Sequence, residues 1–254
     1  MIYGLYLSAT GVMTNSYRQD VIANNLANAQ TVGFKRSLAL FQQRRTEAQQ
    51  SGKSDQTDAM LDRMGGGLLL APTSIDHAEG ELENTNGNLD VAIHGSGYFM
   101  VQDGNETRLT RNGQFMTDRS GTLILADGSG HAVLDPDGKS IQFKGVPASQ
   151  VSINKEGLIN ANGQVVGRVG LFDVPNPDLI TPQGGTLMSY PNMKQLTPAN
   201  GTLQSGFIER SNVDPTKELT QLINAQRQLE ANANLIRIQD STLSRAVTDV
   251  GKIS

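Results

Sequence analysis

The feature that most constrains this chain is a spacing of apolar residues toward its C-terminus. Leu219, Leu222, Gln226, Leu229, Ala233, Ile236, Asp240, Leu243, Val247 and Val250 recur at alternating steps of three and four, which keeps them on one side of a helix. Asp214 offers an N-cap and Pro215 a first helical residue, although Lys217 leaves a capping box incomplete. A helix over 215–250 would be ~54 Å long, more than a domain of this size needs for its own packing. The opposite end carries a second, imperfect stripe: Ile2, Leu5, Ala9, Val12, Ser16, Gln19, Ala23 and Leu26, with no Pro among residues 2–28. One use of such stripes is packing on the protein's own core. Two at opposite ends of one chain point to a second use beside that one, in which the termini pair with each other, in a coiled-coil-like manner, and with further copies.

Between them the texture is different. From about Leu68 to Ile208 short apolar runs are punctuated by Asp103-Gly104, Asn112-Gly113, Asp127-Gly128, Asp137-Gly138 and Asn162-Gly163, dipeptides that favour tight hairpin turns. Residues 89–93, 98–101 and 123–125 read as strands, with further candidates at 141–143, 151–153 and 169–172. The 27 glycines and 18% charged residues suit a turn-rich β protein better than a helical enzyme. The fold expected is mainly β with α: a central antiparallel β-rich domain, barrel- or sandwich-like, flanked by long terminal helices. The organisation expected is an N-terminal assembly helix and joint over 1–34, an extended or flexible transition over 35–67, a β core over 68–208 and a C-terminal heptad helix over 209–254. Asn24, Asn25 and Asn28 put three short amides in two helical turns ahead of Gly33 and Phe34, a pattern that reads as a helix end and a change of direction.

Chemistry is sparse. There is no Cys, which removes disulfides, thiolate metal sites and a Cys nucleophile. His77, His94 and His131 are far apart and show no metal-ligand spacing, and no cofactor is implied. Gly95-Ser96-Gly97 runs into the strand-like Tyr98-Phe99-Met100-Val101, whereas a dinucleotide loop opens a helix. Gly65-Gly66-Gly67 is followed by Leu68-Leu69-Leu70 and reads as a hinge or strand entry, since a phosphate loop needs a Lys-Ser/Thr pair there. No catalytic residue is assigned. The net charge of -4 and pI near 5.4 give no reason to expect nucleic acid or an anionic membrane as partner. Lys35-Arg36 and Arg44-Arg45 read as solvated faces. No apolar run approaches the ~18 residues of a spanning helix, so membrane insertion is not expected. The first residues lack a charged leader, so any export is expected to use a route without a cleaved signal.

Three blocks of sequence carry a resemblance. Ala23-Asn24-Asn25-Leu26-Ala27-Asn28 with Thr31-Val32-Gly33-Phe34-Lys35 is the first. Residues 89–99, with Thr110-Arg111-Asn112-Gly113-Gln114-Phe115 and Asp118-Arg119-Ser120-Gly121-Thr122-Leu123, form the second. Glu209-x-Ser211-Asn212-Val213-Asp214 and the residues of the following heptads form the third, with Leu229 where relatives usually carry an aromatic. Together they resemble the bacterial flagellar basal-body rod and hook family. That resemblance implies a structural subunit of the periplasmic rod that polymerises through its terminal helices. Its implied partners are copies of itself, other rod and hook proteins, and the flagellar export apparatus. Within the family, residues 133–141 and 166–171 resemble proximal rod members more than distal ones, and the chain is short for a hook subunit. The residues expected to drive assembly are Leu5, Val12, Leu26, Leu219, Leu222, Leu229, Ile236 and Leu243. Those expected to form the joint are Asn24, Asn25, Asn28, Gly33, Phe34, Ser211, Asn212 and Val213. Two readings from other classes stand beside this one: a secreted β-rich cell-wall enzyme, which needs two placed carboxylates, and a binding module, which needs no heptad tails.

Overall fold

The computed structural model describes residues 2–43, 67–143, 146 and 150–251. Most of the expected transition segment, with Arg44-Arg45 and Gly65-Gly66, lies outside the described residues. The chain forms two compact units, one of residues 1–26, 38–73 and 215–254, the other of 27–37 and 74–214.

The second unit is the β body. Its largest sheet has nine strands, all paired antiparallel, and is organised around the strand Tyr98–Asp103. One edge of this strand pairs along its length with Glu106–Thr110. The other edge takes two partners in succession, Leu171–Asp173 against Tyr98 and Phe99, then Ala132–Val133 against Val101 and Gln102. The barrel half of the expectation is corrected here: because that edge is shared by two short strands, the sheet forks, and it forms no closed barrel. Both faces of the strand are buried over Tyr98–Val101, which accounts for the unbroken apolar run there. Phe99 and Val101 enter a core with Val91, Ile93, Phe115, Leu123, Val151 and Ile159, while Tyr98 enters a second with Leu109, Ile180, Met188 and Tyr190.

Most expected strands lie within a residue or two of those observed, at 91–94, 98–103, 123–125, 151–153 and 171–173. The exception is 141–143. Ile141 and Phe143 are buried, and Leu123 N–H donates to Ile141 O while Phe143 N–H donates to Gly121 O. Gln142 makes only an isolated bridge to Thr122, so the segment packs as a strand does without becoming one. At the tip of the hairpin joining Leu158–Ala161 to Gln164–Arg168, Asn162 and Gly163 have φ of 52° and 79°, the paired positive values of the turn that their dipeptide favours.

The first unit holds helix α1 (Ile2–Ala27), helix α2 (Pro215–Gly251) and an antiparallel pair of short strands, Phe41–Gln43 with Leu68–Leu70. Tyr17 of α1 meets the Phe41 ring edge-on at 6.3 Å, and its hydroxyl lies 3.0 Å from Thr73 Oγ1. The Arg18 guanidinium sits 5.1 Å from the same Phe41 ring centre. Leu68, Leu69 and Leu70 are all exposed.

Candidate functional site

The joint is built where three segments of the β body meet. Gly33 turns the chain with φ +70°, and its N–H donates to Glu209 O at 2.7 Å. A Cβ there would lie 2.3 Å from the Asn112 backbone nitrogen, so both the conformation and the close approach require glycine. Just before it, Thr31 donates through N–H to Asn28 O and through Oγ1 to Asn28 Oδ1, at 3.1 and 3.2 Å. Phe34 is buried.

The expectation that Lys35 lies on a solvated face is corrected. Its side chain is 1% exposed, and Nζ donates to Glu209 Oε1 at 2.6 Å and to Ala78 O at 2.7 Å. Glu209, 0% exposed, also accepts from Gly80 N–H at 2.9 Å and from Arg111 Nη1 at 3.3 Å. Arg111 in turn donates to Gly95 O at 2.8 Å and stacks 5.1 Å from the Tyr98 ring centre. Removing a carboxylate from water is costly; here it is offset by two cations and a backbone N–H converging on it. Burial pulls the Lys35 pKa below its ordinary value, with Glu209 opposing the shift. Burial also raises the Tyr98 phenol to about 12. The Tyr98 hydroxyl lies 2.9 Å from His77 Nδ1, whose ring burial holds below the usual histidine range.

Asn212 completes the stitching. Its Oδ1 accepts from Arg36 N–H at 2.7 Å, and its Nδ2 donates to Asp76 O and Ala78 O at 3.0 Å. One amide therefore ties the strand leaving the joint to residues 76–78 and to the approach to α2. Ser211 Oγ accepts from Val213 N–H, and Val213 is buried.

The second element is the helix pair. A Cβ on Gly4 would lie 2.8 Å from Gln239 Nε2, and one on Gly11 the same distance from Asn232 Nδ2; Asn25 Nδ2 donates to Glu218 Oε2 at 3.4 Å. Each step of seven or fourteen up α1 is matched by the same step down α2, so the helices run antiparallel in a heptad register. Ser8, Asn15, Ile22 and Asn25 of α1 are buried, as are Glu218 and Ala225 of α2. Leu222, Leu229, Ile236 and Leu243 are half-buried on this side of α2, together with Asn232, Gln239 and Ala246. The expected stripe thus shares four residues with this seam, but its other members stand one residue aside. Leu219 is 49% and Val247 72% exposed, and Ile238 is 61% exposed. On α1, Leu5, Val12 and Leu26 are half-buried beside the seam residues, and Asn24 is exposed.

The ion cluster at the joint was not legible in the sequence. Lys35, Arg111 and Glu209 each fall inside a different resemblance block, which was the one available signal. Nothing in their spacing announces that partners 174 residues apart meet. Among the described residues no group of His, Cys, Asp or Glu is arranged to hold a metal ion, and no helix is long and apolar enough to cross a membrane.

A β body that buries its ion cluster where its connections leave, joined to a helix pair, has the features of a structural subunit. Comparison with known proteins agrees. Residues 5–35 match the family described as flagella basal body rod protein, 92–161 the flagellar hook protein FlgE/F/G D1 domain, and 204–249 the flagellar basal body rod FlgEFG protein C-terminal family. The chain is 33% identical over 263 residues to the flagellar basal-body rod protein FlgG of Bacillus subtilis, covering 97% of this chain and 98% of that protein. It is 30% identical over 260 residues to the flagellar basal-body rod protein FlgF of Caulobacter vibrioides, covering 98% of each. The chain belongs to the flagellar basal-body rod protein family. It is a structural subunit of the flagellar basal body, not an enzyme, and the cell-wall-enzyme and binding-module readings are set aside on that ground.

Proposed function

We propose that this subunit polymerises into the periplasmic rod through its helix pair, with α1 and α2 forming coiled-coil-like contacts with neighbouring subunits, and that the flagellar export apparatus delivers it. The observation that carries this reading is the distribution of apolar residues on α2. Leu219, Ile223, Leu235, Ile238 and Val247 are exposed on a helix whose intramolecular seam holds Glu218, Asn232 and Gln239. Burying such side chains is worth about 25 cal/mol per Å², which becomes sufficient when several copies meet. Leu222, Leu229, Ile236 and Leu243, with Leu5, Val12 and Leu26, border both the seam and the outer face and serve both contacts. The joint residues Gly33, Phe34, Asn212 and Val213 hold residues 33–36 and 209–213 beside each other within the β body.

A proximal position in the rod is favoured by residues 133–141 and 166–171, the segments that resemble proximal members. Relatives named FlgG and FlgF match at similar identity. The test of assembly is Ile238→Asp, supplied as the sole copy in a motile host: rods should fail to form and cells should not swim. Normal basal bodies carrying this variant would sink the proposal. Labelling the protein in isolated basal bodies, measured against the hook end, tests the position.

A further inference from the structure

The helix pair has an interior of unusual composition. Its seam on α1 runs through Gly4, Ser8, Gly11, Asn15, Arg18, Ile22 and Asn25, with Val21 buried beside Ile22, so one of seven seam positions holds a large apolar side chain. Apolar seams attract but discriminate poorly between registers, because a slip of one heptad exchanges one Leu for another. Polar and glycine positions discriminate well, since a slip strands an amide or closes a space. The Gly11 contact is the tighter of the two glycine contacts. Three atoms of the short Asn232 side chain lie within 3.2 Å of where a Cβ would stand, whereas the Gly4 site meets chiefly the far end of the flexible Gln239. Around Gly11 the backbone is further fixed, because Asn15 Nδ2 and Thr14 Oγ1 both donate to Gly11 O, at 2.9 and 3.1 Å.

We infer that Gly11 with Asn232, seconded by Gly4 with Gln239 and by Asn25 with Glu218, are specificity-determining contacts that fix the antiparallel register of α1 on α2. The register in turn fixes which rows of α2 are turned away from α1; only this last link rests on the assembly role proposed above. Slipping the pair by one heptad brings Gly11 opposite Ala225, with Asn232 opposite Gly4 and Gln239 past the end of α1, or opposite Gln239, with Asn232 against the Arg18 side chain; either slip parts Asn25 from Glu218.

The absence of cysteine makes the register directly measurable. The same spacing sets position 18 opposite Ala225, so Arg18→Cys with Ala225→Cys should form an intramolecular disulfide in the purified full chain. Introducing Gly11→Leu should slow that crosslink about tenfold, the scale of an overpacked contact, while helicity by circular dichroism holds or rises. Adding Asn232→Ala should restore the rate to within about twofold by reopening the space. The sign is diagnostic, because Leu is a far better helix former than Gly and a purely helix-stabilising role would accelerate the crosslink. Unchanged crosslinking in Gly11→Leu, or no recovery on adding Asn232→Ala, would overturn the inference. Crosslinking is read on the isolated protein, so it is independent of rod formation. Normal rods from Ile238→Asp would remove the assembly proposal and leave the register standing, while a lost register effect alongside failed Ile238→Asp rods would do the reverse.

Discussion

The two units of the molecule bury different mixtures of side chains. The β body puts Val91, Phe99, Leu123 and Ile159 in its centre and confines its deeply buried charges, Lys35, Arg111 and Glu209, to the joint. The helix unit buries Ser8, Thr14, Asn15, Asn25 and Glu218 beside Val21, Ile22 and Ala225, and turns Met13, Leu219, Ile238 and Val247 toward solvent. An apolar centre supplies stability from within one chain. A helix pair with polar seam positions and exposed apolar rows buries less apolar surface within the chain. On the assembly proposed above, the body is complete in itself and the helix pair is one half of a larger contact.

Four measurements break or sharpen that contrast, taken from the largest effect down. Glu209→Ala leaves Lys35 and Arg111 buried without their carboxylate, and should lower the stability of the β body by about 3–5 kcal/mol, read as a fall in the urea midpoint. The second is alkaline titration. The Tyr98 phenol ionises at about 12 in the folded chain against 10.0 for an ordinary tyrosine, so the unfolded state releases its proton first. Stability from this group is fully present below pH 10 and is lost as pH rises through 12, about 2–3 kcal/mol in all. Lys35 acts in the opposite sense: its folded pKa is lowered, so stability rises with pH between that value and 10.5. Denaturant curves of Tyr98→Phe should therefore lack the alkaline loss seen in the parent chain, and an unchanged loss would assign it elsewhere.

The third measurement moves to the helix pair. Asn25→Ala removes a buried amide that donates to the Glu218 carboxylate, and should cost about 1–2 kcal/mol in thermal unfolding followed by helical circular dichroism. The smallest effect on the isolated chain belongs to Ile238→Asp, within about 0.5 kcal/mol because the side chain is exposed. If that substitution destabilises the monomer by several times as much, Ile238 has a partner within its own chain and the contrast between the units fails.

Much of this was legible from local pattern. Hairpin dipeptides marked the β body because Asn162-Gly163 and its like can adopt the turn conformation cheaply, and Pro215 marked the start of α2. The seam was legible only in part. Hydropathy spacing selects Leu219 and Val247 because they are apolar, and passes over Glu218, Asn232 and Gln239 because they are not, although the latter face the partner helix. Gly4 and Gly11 carry no hydropathy signal at all; their importance is the space they leave. The forked sheet and the buried Lys35 were hidden for another reason: each depends on which distant strand or carboxylate arrives, and short-range pattern carries no information on that.

The Asn25–Glu218 contact spans 193 positions of the chain. Between them lies the β body, so α1 is made first and waits for its partner until almost everything else has been supplied. Loop closure of that length is slow unless the intervening residues are already compact. Once Glu209 and Asn212 have docked beside Gly33 and Arg36, the chain separating the two helices falls to a few residues on either side. Closure of the pair is then a local event, and a chain cut short anywhere before Pro215 carries an α1 with nothing to register against.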